Sequence, residues 1–201
     1  MTVTRAIAPG HADPLAVFDD WYAQAAEADL VEPTAMALAT VEPDGTPSVR
    51  MVLLKEHGRE GFVFYTNYCS PKARALISHP HASLLFWWPP LQRQVRISGS
   101  AVRLPEAESD AYFATRPRGS QLGAWASPQS RPLPDRAALD KRLAEAERRF
   151  ADSPVPRPAD WGGFRLHPAT YEFWQGRADR LHDRHRYTAT PDGWRIDYLA
   201  P

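Results

Sequence analysis

The sequence predicts a mainly β chain with inserted helices, an α+β architecture built on an antiparallel barrel. Three observations carry this. Short β-rich runs fill the centre and the C-terminal third, tight-turn signals join them, and no alternating strand–helix repeat appears. With 201 residues, 43% of them hydrophobic, one domain is favoured over two. The expected organisation is a short N-terminal arm, residues 1–12, followed by one domain over residues 13–201.

Asp13-Pro14 reads as a helix cap followed by proline at the first helical position, and Leu15, Phe18, Trp21, Tyr22 and Ala25 then recur at helical spacing, which predicts an amphipathic helix to about Asp29. From Ala35 the period changes. Met36, Leu38 and Thr40 alternate, Asp44-Gly45 marks a turn, and Ser48 to Lys55 reads as the partner strand of a hairpin. Phe62 to Thr66 is a further strand, and Ser70-Pro71 opens a short helix through Ile77. Ala82 to Trp88 and Arg93 to Leu104 are strands separated by Pro89-Pro90, which forces a turn or bulge.

Pro105 to Ala114 and Arg136 to Phe150 have helical composition. Between them, Arg116 to Pro134 is rich in Gly, Ser, Gln and Pro, and reads as either a mobile connector or a binding loop held by a ligand; Trp125 favours an ordered loop. Gly163 to Leu166, Tyr171 to Gln175, Leu181 to Tyr187 and Trp194 to Tyr198 read as four closing strands, with Asp192-Gly193 turning the last hairpin.

Composition excludes several classes of function. Lys plus Arg and Asp plus Glu number 24 each, so no global field is present to hold nucleic acid or an anionic membrane surface. The densest apolar run, Ala82 to Trp88, falls far short of the roughly 20 residues that span a bilayer. Met1 to Ala12 lacks the basic-then-apolar order of a secretory signal, and Cys69, the only cysteine, has no partner for an intramolecular disulfide, so a cytoplasmic location is expected. Tyr68 and Ser70 bring Cys69 no activating base, which makes it a structural thiol.

No zinc-ligand spacing, Gly-rich phosphate fingerprint or nucleophile elbow appears. His79 and His81 flank Pro80 and read as solvated turn residues, since a metal site needs further convergent donors; no metal is expected. The basic residues say more. Arg50, Lys55, Lys72, Arg116, Arg118, Arg180 and Arg184 lie at strand ends and loops among hydroxyl and amide side chains, the mixture that phosphate recognition uses. Singly, each is an ordinary surface charge; only the joint pattern carries weight.

That pattern runs in one order: Arg50-Met-Val-Leu-Leu-Lys55, Phe64-Tyr-Thr-Asn67, Arg93-Gln-Val95, Tyr112-Phe-Ala-Thr-Arg-Pro-Arg-Gly-Ser120, Gln129-Ser130, Trp161-Gly-Gly-Phe164, Glu172-Phe-Trp-Gln-Gly176 and Arg180-Leu-His-Asp-Arg184. It resembles the pyridoxine 5′-phosphate oxidase family over roughly Asp13 to Pro201. The resemblance implies an antiparallel split β-barrel of the FMN-binding type, a homodimer with FMN in clefts between subunits, and oxidation of pyridoxamine or pyridoxine 5′-phosphate to pyridoxal 5′-phosphate. Dioxygen would be the electron acceptor and hydrogen peroxide the by-product.

By the same resemblance, Arg50, Met51, Val52, Leu53, Leu54 and Lys55 form a strand along FMN, and Tyr65, Thr66, Lys72, Gln94, Gln129, Ser130, Trp174 and Arg184 supply its other contacts. Lys55, Tyr112, Arg116 and Ser120 would hold the substrate phosphate. Arg180 and His182 would cover the pyridine ring and form the catalytic set. If Leu181 to Tyr187 is a strand, these two share one face, while Asp183 points away and orients a neighbouring arginine.

Two departures stand out. Many family members have arginine where this chain has Pro71, which removes one contact to the FMN phosphate, with Arg74 the nearest substitute. The N-terminal arm is short, and Arg5 is its one candidate for covering the substrate. Two rival readings are a related split-barrel flavin oxidase acting on another ring, such as those of phenazine biosynthesis, and a carrier that stores flavin or pyridoxal phosphate without turnover. Only a phosphorylated substrate needs Lys55, Tyr112, Arg116 and Ser120 together.

Overall fold

The computed structural model describes residues 12–201. Arg5 and the rest of the expected arm before Ala12 lie outside the described residues. The first element is helix α1 (Pro14–Glu27), where the Asp13 side chain accepts from the Leu15 amide at 2.9 Å and Pro14 occupies the first turn. Its buried face, Val17, Phe18, Trp21 and Ala25, faces the barrel interior.

Strands β1 (Ala35–Val41) and β2 (Pro47–Leu53) form the expected hairpin, with β3 (Glu56–Gly58) and β4 (Gly61–Asn67) after it. Helix α2 (Pro71–Ser78) leads to β5 (His81–Trp88) and β6 (Arg93–Arg103). The prolines between those two strands make one 3₁₀ turn, Pro89–Leu91, ended by Gln92 at φ 50°. Helices α3 (Glu106–Thr115), α4 (Arg118–Ala126) and α5 (Arg136–Arg149) follow, then β7 (Trp161–Gln175), β8 (Asp183–Thr190) and β9 (Gly193–Tyr198).

The sheet runs β2-β1-β5-β6-β7-β4-β3 with every pairing antiparallel, and β8 and β9 branch from β7. This is a split β-barrel. β7 makes the split: its first half pairs with β4, its second half with β8, and nearly all of it with β6. At the other edge the curl closes where the Lys55 amide, just past β2, donates to the Val63 carbonyl of β4 at 2.9 Å. The interior is aromatic, with Phe18, Phe62, Phe64, Phe86, Trp88 and Phe173 fully buried.

Four expectations need correction. The two strands expected over Gly163 to Gln175 are one, because β6 absorbs Pro168, which has no amide hydrogen, through a register shift at Ser98/Gly99. The segment expected as a loop from Arg116 to Pro134 contains α4. Its Gly119, Ser120 and Gly123 are weak helix formers, but Leu122 and Ala126 bury in a satellite cluster with Phe113, Phe150, Val155 and Trp161, and packing overrides propensity. The short β3 carried no sequence signal. Finally, β8 starts at Asp183 and not Leu181. Arg180 lies in a 3₁₀ turn, Ala178–Arg180, where Asp179 and Arg180 have φ of 55° and 61°. Two left-handed residues break strand alternation, so Arg180 and His182 do not share a strand face.

Candidate active site

The closing seam of the barrel and the α3–α4 joint enclose a cleft of about 290 Å³. Met51, Val52, Leu53 and Lys55 line it from β2 and its end, Tyr65 and Thr66 from β4, Lys72 from α2, and Tyr112 and Arg116 from the end of α3. Gln129 and Trp161 complete it. Leu54 alternates away into the barrel core at 3% exposure, so only its backbone faces this side.

One end of the cleft is cationic. Lys72 Nζ donates to Gln129 Oε1 at 2.7 Å, Thr66 Oγ1 at 3.2 Å and Ser70 Oγ at 3.3 Å, all neutral oxygens. Burial and the nearby Arg50 guanidinium hold the Lys72 ammonium below its usual range. Arg50 is likewise lowered by burial, with Glu42 at 3.7 Å opposing; its guanidinium bonds the Leu38 carbonyl at 3.1 Å and Thr40 Oγ1 at 2.7 Å. Lys72, which meets only neutral oxygens in this partly desolvated corner and has Arg50 nearby, suits an anion such as the phosphate of FMN.

The sequence marks Ser70 only as a helix cap. In the structure its side chain makes no capping bond and turns to Lys72, with Thr66 Oγ1 3.5 Å away.

The other end is aromatic. Tyr65 and Tyr112 stack at 3.9 Å with 11° between planes, Trp161 continues the stack at 5.2 Å from Tyr65, and the Arg116 guanidinium lies 4.6 Å over the Trp161 ring. Burial, with Glu56 next, pushes the Tyr65 phenol up to about 12, so it remains a neutral donor at physiological pH. Burial also lowers Arg116, and its Nη1 is buried without any hydrogen-bond partner. Such an orphan charged donor is costly unless a ligand fills the place. The sequence offers Trp161 only as part of a motif; its placement depends on the long-range pairing of Asn67 with Trp161 between β4 and β7.

The remaining expected residues lie elsewhere. Ser120 is exposed on the first turn of α4, and Ser130 is exposed at φ 66°. Arg118 bonds the Ser153 carbonyl at 3.2 Å and the Phe150 carbonyl beyond α5. Gln94, Trp174 and Arg184 form one cross-strand row over β6, β7 and β8. The His182 ring lies tilted by 43° against Trp174, 4.4 Å between centroids, and Asp183 accepts from Arg177 Nε at 2.7 Å. This second group sits near the opposite end of β7 from Trp161, roughly 40 Å along the strand at about 3.3 Å per residue.

A larger depression of about 420 Å³ lies beyond Gln129, lined by Asn67, Cys69, Trp125, Arg131, Arg142 and Asp160. The orphaned guanidinium and the Lys72 corner both face the smaller cleft. Among the described residues no group of three or more His, Cys, Asp or Glu side chains is placed to hold a metal ion, and no helix is long and apolar enough to cross a membrane.

Residues 23–150 match the family model of pyridoxamine 5′-phosphate oxidase, and residues 161–201 match that of the pyridoxine 5′-phosphate oxidase C-terminal dimerisation region. The chain belongs to the pyridoxamine 5′-phosphate oxidase family. Membership makes it an oxidoreductase. It is 57% identical over 189 residues to a pyridoxine/pyridoxamine 5′-phosphate oxidase of Rubrobacter xylanophilus, covering 94% of this chain and 87% of that one. A protein of the same name from Sphingopyxis alaskensis is 55% identical, with 94% and 88% covered.

Among solved structures, PhzG from Burkholderia lata, in complex with tetrahydrophenazine-1-carboxylic acid, superposes with a TM-score of 0.90 at 36% identity, covering 96% of this chain and 95% of that one. A pyridoxamine 5′-phosphate oxidase-related, FMN-binding protein from Nostoc punctiforme has a TM-score of 0.75 at 17% identity, covering 98% and 100%; at that identity it shows the shared fold. The Gln94–Trp174–Arg184 row has two of its three residues in the stretch that matches the oxidase family's dimerisation region.

Proposed function

We propose that the chain oxidises pyridoxamine 5′-phosphate or pyridoxine 5′-phosphate to pyridoxal 5′-phosphate. The cofactor is FMN, which when bound supplies the two-electron acceptor and passes the electrons to dioxygen, giving hydrogen peroxide. The observation that carries the substrate assignment is the buried, unpartnered Nη1 of Arg116, fixed against Trp161 in a cleft that Tyr112 and Lys55 also line, with the Lys72 ammonium, backed by Arg50, as a separate cation. Two anion sockets in one cleft match a phosphorylated cofactor and a phosphorylated substrate.

The chain's own residues bind and orient. Lys55, which lines the cleft, would contact both cofactor and substrate, Tyr65 and Tyr112 exclude water from one wall, and Arg116 fixes the substrate phosphate so that binding energy is spent on placement. In this reading Arg180 and His182, past the end of β7 opposite to Trp161, serve the cleft of the partner subunit. The active unit is therefore a homodimer, each cleft completed by the partner's β7–β8 edge, and it operates in the cytoplasm.

The structural likeness to PhzG supports a second reading, oxidation of a ring without phosphate. The ligand of PhzG carries a carboxylate, which an arginine can also pair, so turnover on the phosphorylated and unphosphorylated compounds decides between the two readings. Purified protein reconstituted with FMN is supplied with pyridoxamine 5′-phosphate, pyridoxine 5′-phosphate or unphosphorylated pyridoxine while oxygen uptake and aldehyde absorbance are followed. Aldehyde and peroxide rising together on the phosphorylated compounds alone are expected. Flavin binding without turnover on any of them overturns the assignment in favour of the second reading.

A further inference from the structure

Glu172 is a buried carboxylate on β7, its side chain 6% exposed. One oxygen, Oε1, accepts from both Nε and Nη2 of Arg184 at 3.0 and 2.8 Å; the other accepts from Arg96 on β6. The Cα partner of Glu172 on β8 is Arg186, yet Arg186 bonds Asp197 at 3.0 Å. Glu172 instead reaches diagonally to Arg184, whose own cross-strand partner is Trp174. The third nitrogen of Arg184, Nη1, donates to the Ala200 carbonyl at 2.9 Å, and the Arg184 carbonyl accepts from the Leu199 amide at 2.9 Å. All three guanidinium nitrogens are thus tied, leaving one further hydrogen on each terminal nitrogen to donate.

We infer that Glu172 is a positioning residue for the flavin: it fixes the Arg184 fork in the orientation that meets FMN, with the Ala200 carbonyl as the second tie. The inference rests on the proposed flavin-binding role of Arg184. An arginine on a sheet face otherwise samples many rotamers, and holding it from behind removes that entropy cost from ligand binding. Arg96 neutralises the remaining Glu172 oxygen, half exposed and without a part in the fork.

The test is a double-mutant cycle on the full-length chain, read by quenching of flavin fluorescence on FMN titration, with unfolding midpoints measured without FMN. Arg184→Gln is expected to raise the FMN dissociation constant about ten-fold or more. Glu172→Gln, isosteric but without the charge, raises it by a comparable factor, and the double variant is no weaker than Arg184→Gln alone, the non-additivity of residues in one network. Arg96→Gln leaves the constant within about two-fold of wild type.

If Arg184→Gln binds FMN as wild type does, the flavin role of Arg184 falls and the inference with it. If Arg184→Gln weakens binding but Glu172→Gln does not, or the two effects add, the inference alone is overturned. Should Glu172→Gln not fold, Glu172→Asp, which keeps the charge and withdraws it by one methylene, is read in the same cycle with the same expected non-additivity.

Discussion

The backbone amide of Arg177 donates to Nδ1 of His182 across 3.1 Å, so the acceptor nitrogen of that ring is already used and the neutral imidazole carries its proton on Nε2. The Trp174 ring, 4.4 Å away, and the Arg177–Asp183 ion pair hold this arrangement from two sides. His182 is therefore a hydrogen-bond donor to whatever lies beyond it. Nitrogen-15 spectra of the labelled protein are expected to show the Nε2-protonated tautomer. His182→Phe is expected to lower kcat/KM about ten-fold, the size of a lost hydrogen bond, and not the roughly hundred-fold or greater loss of a general base. A loss in the latter range sinks the donor role.

The Arg116 guanidinium separates binding from stability. Arg116→Met removes a buried charge whose Nη1 has no partner and keeps an apolar stem over Trp161, so the protein without ligand is expected to be as stable as wild type or up to about 1 kcal/mol more stable. The same variant is expected to raise KM for the phosphorylated substrate about 10- to 100-fold with a smaller change in kcat, because an interaction present in both bound states is lost. Thermal melts and steady-state kinetics on one preparation check both halves. A large loss of stability would mean that Arg116 is structural.

Lys72 gives the pH dependence of the cofactor-free protein. Its folded-state value is lowered from 10.5 by burial and then by Arg50, so the unfolded chain holds the proton more tightly. Between the lowered value and 10.5 the unfolded state binds more protons, and stability from this group rises with pH through that window; below it both states are protonated and the folded state bears the full cost of the buried charge. Lys72→Gln is expected to flatten the pH dependence in the alkaline window just below 10.5 while weakening FMN binding. Melting curves across that range, with and without FMN, decide it; an unchanged slope in the variant removes Lys72 as the source.

Much of this was legible in the residues, and the exceptions have physical causes. Period and turn chemistry placed α1, the β1–β2 hairpin and β5–β6, since each is a local pattern with its own cap or turn. Tyr112 and Arg116 both line the cleft, but Arg116 is the extended residue that ends α3 and lies over Trp161, which helical spacing does not foretell. α4 was not legible either, since its helicity comes from burying Leu122 and Ala126 against a cluster distant in sequence. The turn that carries Arg180 was missed because nothing in Ala178-Asp179-Arg180 announces two left-handed residues. Ser70 reads locally as a cap, and only the tertiary approach of Lys72 and Gln129 gives its hydroxyl another task.

Gly99 is the hinge of the long pairing that supports both residue groups, and its replacement has a predictable sign. A Cβ there would lie 1.9 Å from the His167 carbonyl oxygen and 2.9 Å from its carbon, backbone atoms of β7 at the register shift around Pro168. Neither strand can yield without opening the bulge, and β7 is already paired on both sides. Gly99→Ala is therefore expected to destabilise by about 2–4 kcal/mol, with a lower urea midpoint. Gly119 offers the opposite case: it sits exposed in the first turn of α4, and a Cβ there meets nothing within 4 Å. Gly119→Ala is expected to stabilise by about 0.5–1 kcal/mol by restricting the unfolded chain and favouring the helix. Equal midpoints for the two variants would show that the bulge relaxes around a methyl group and that Gly99 is not what holds β6 close to β7.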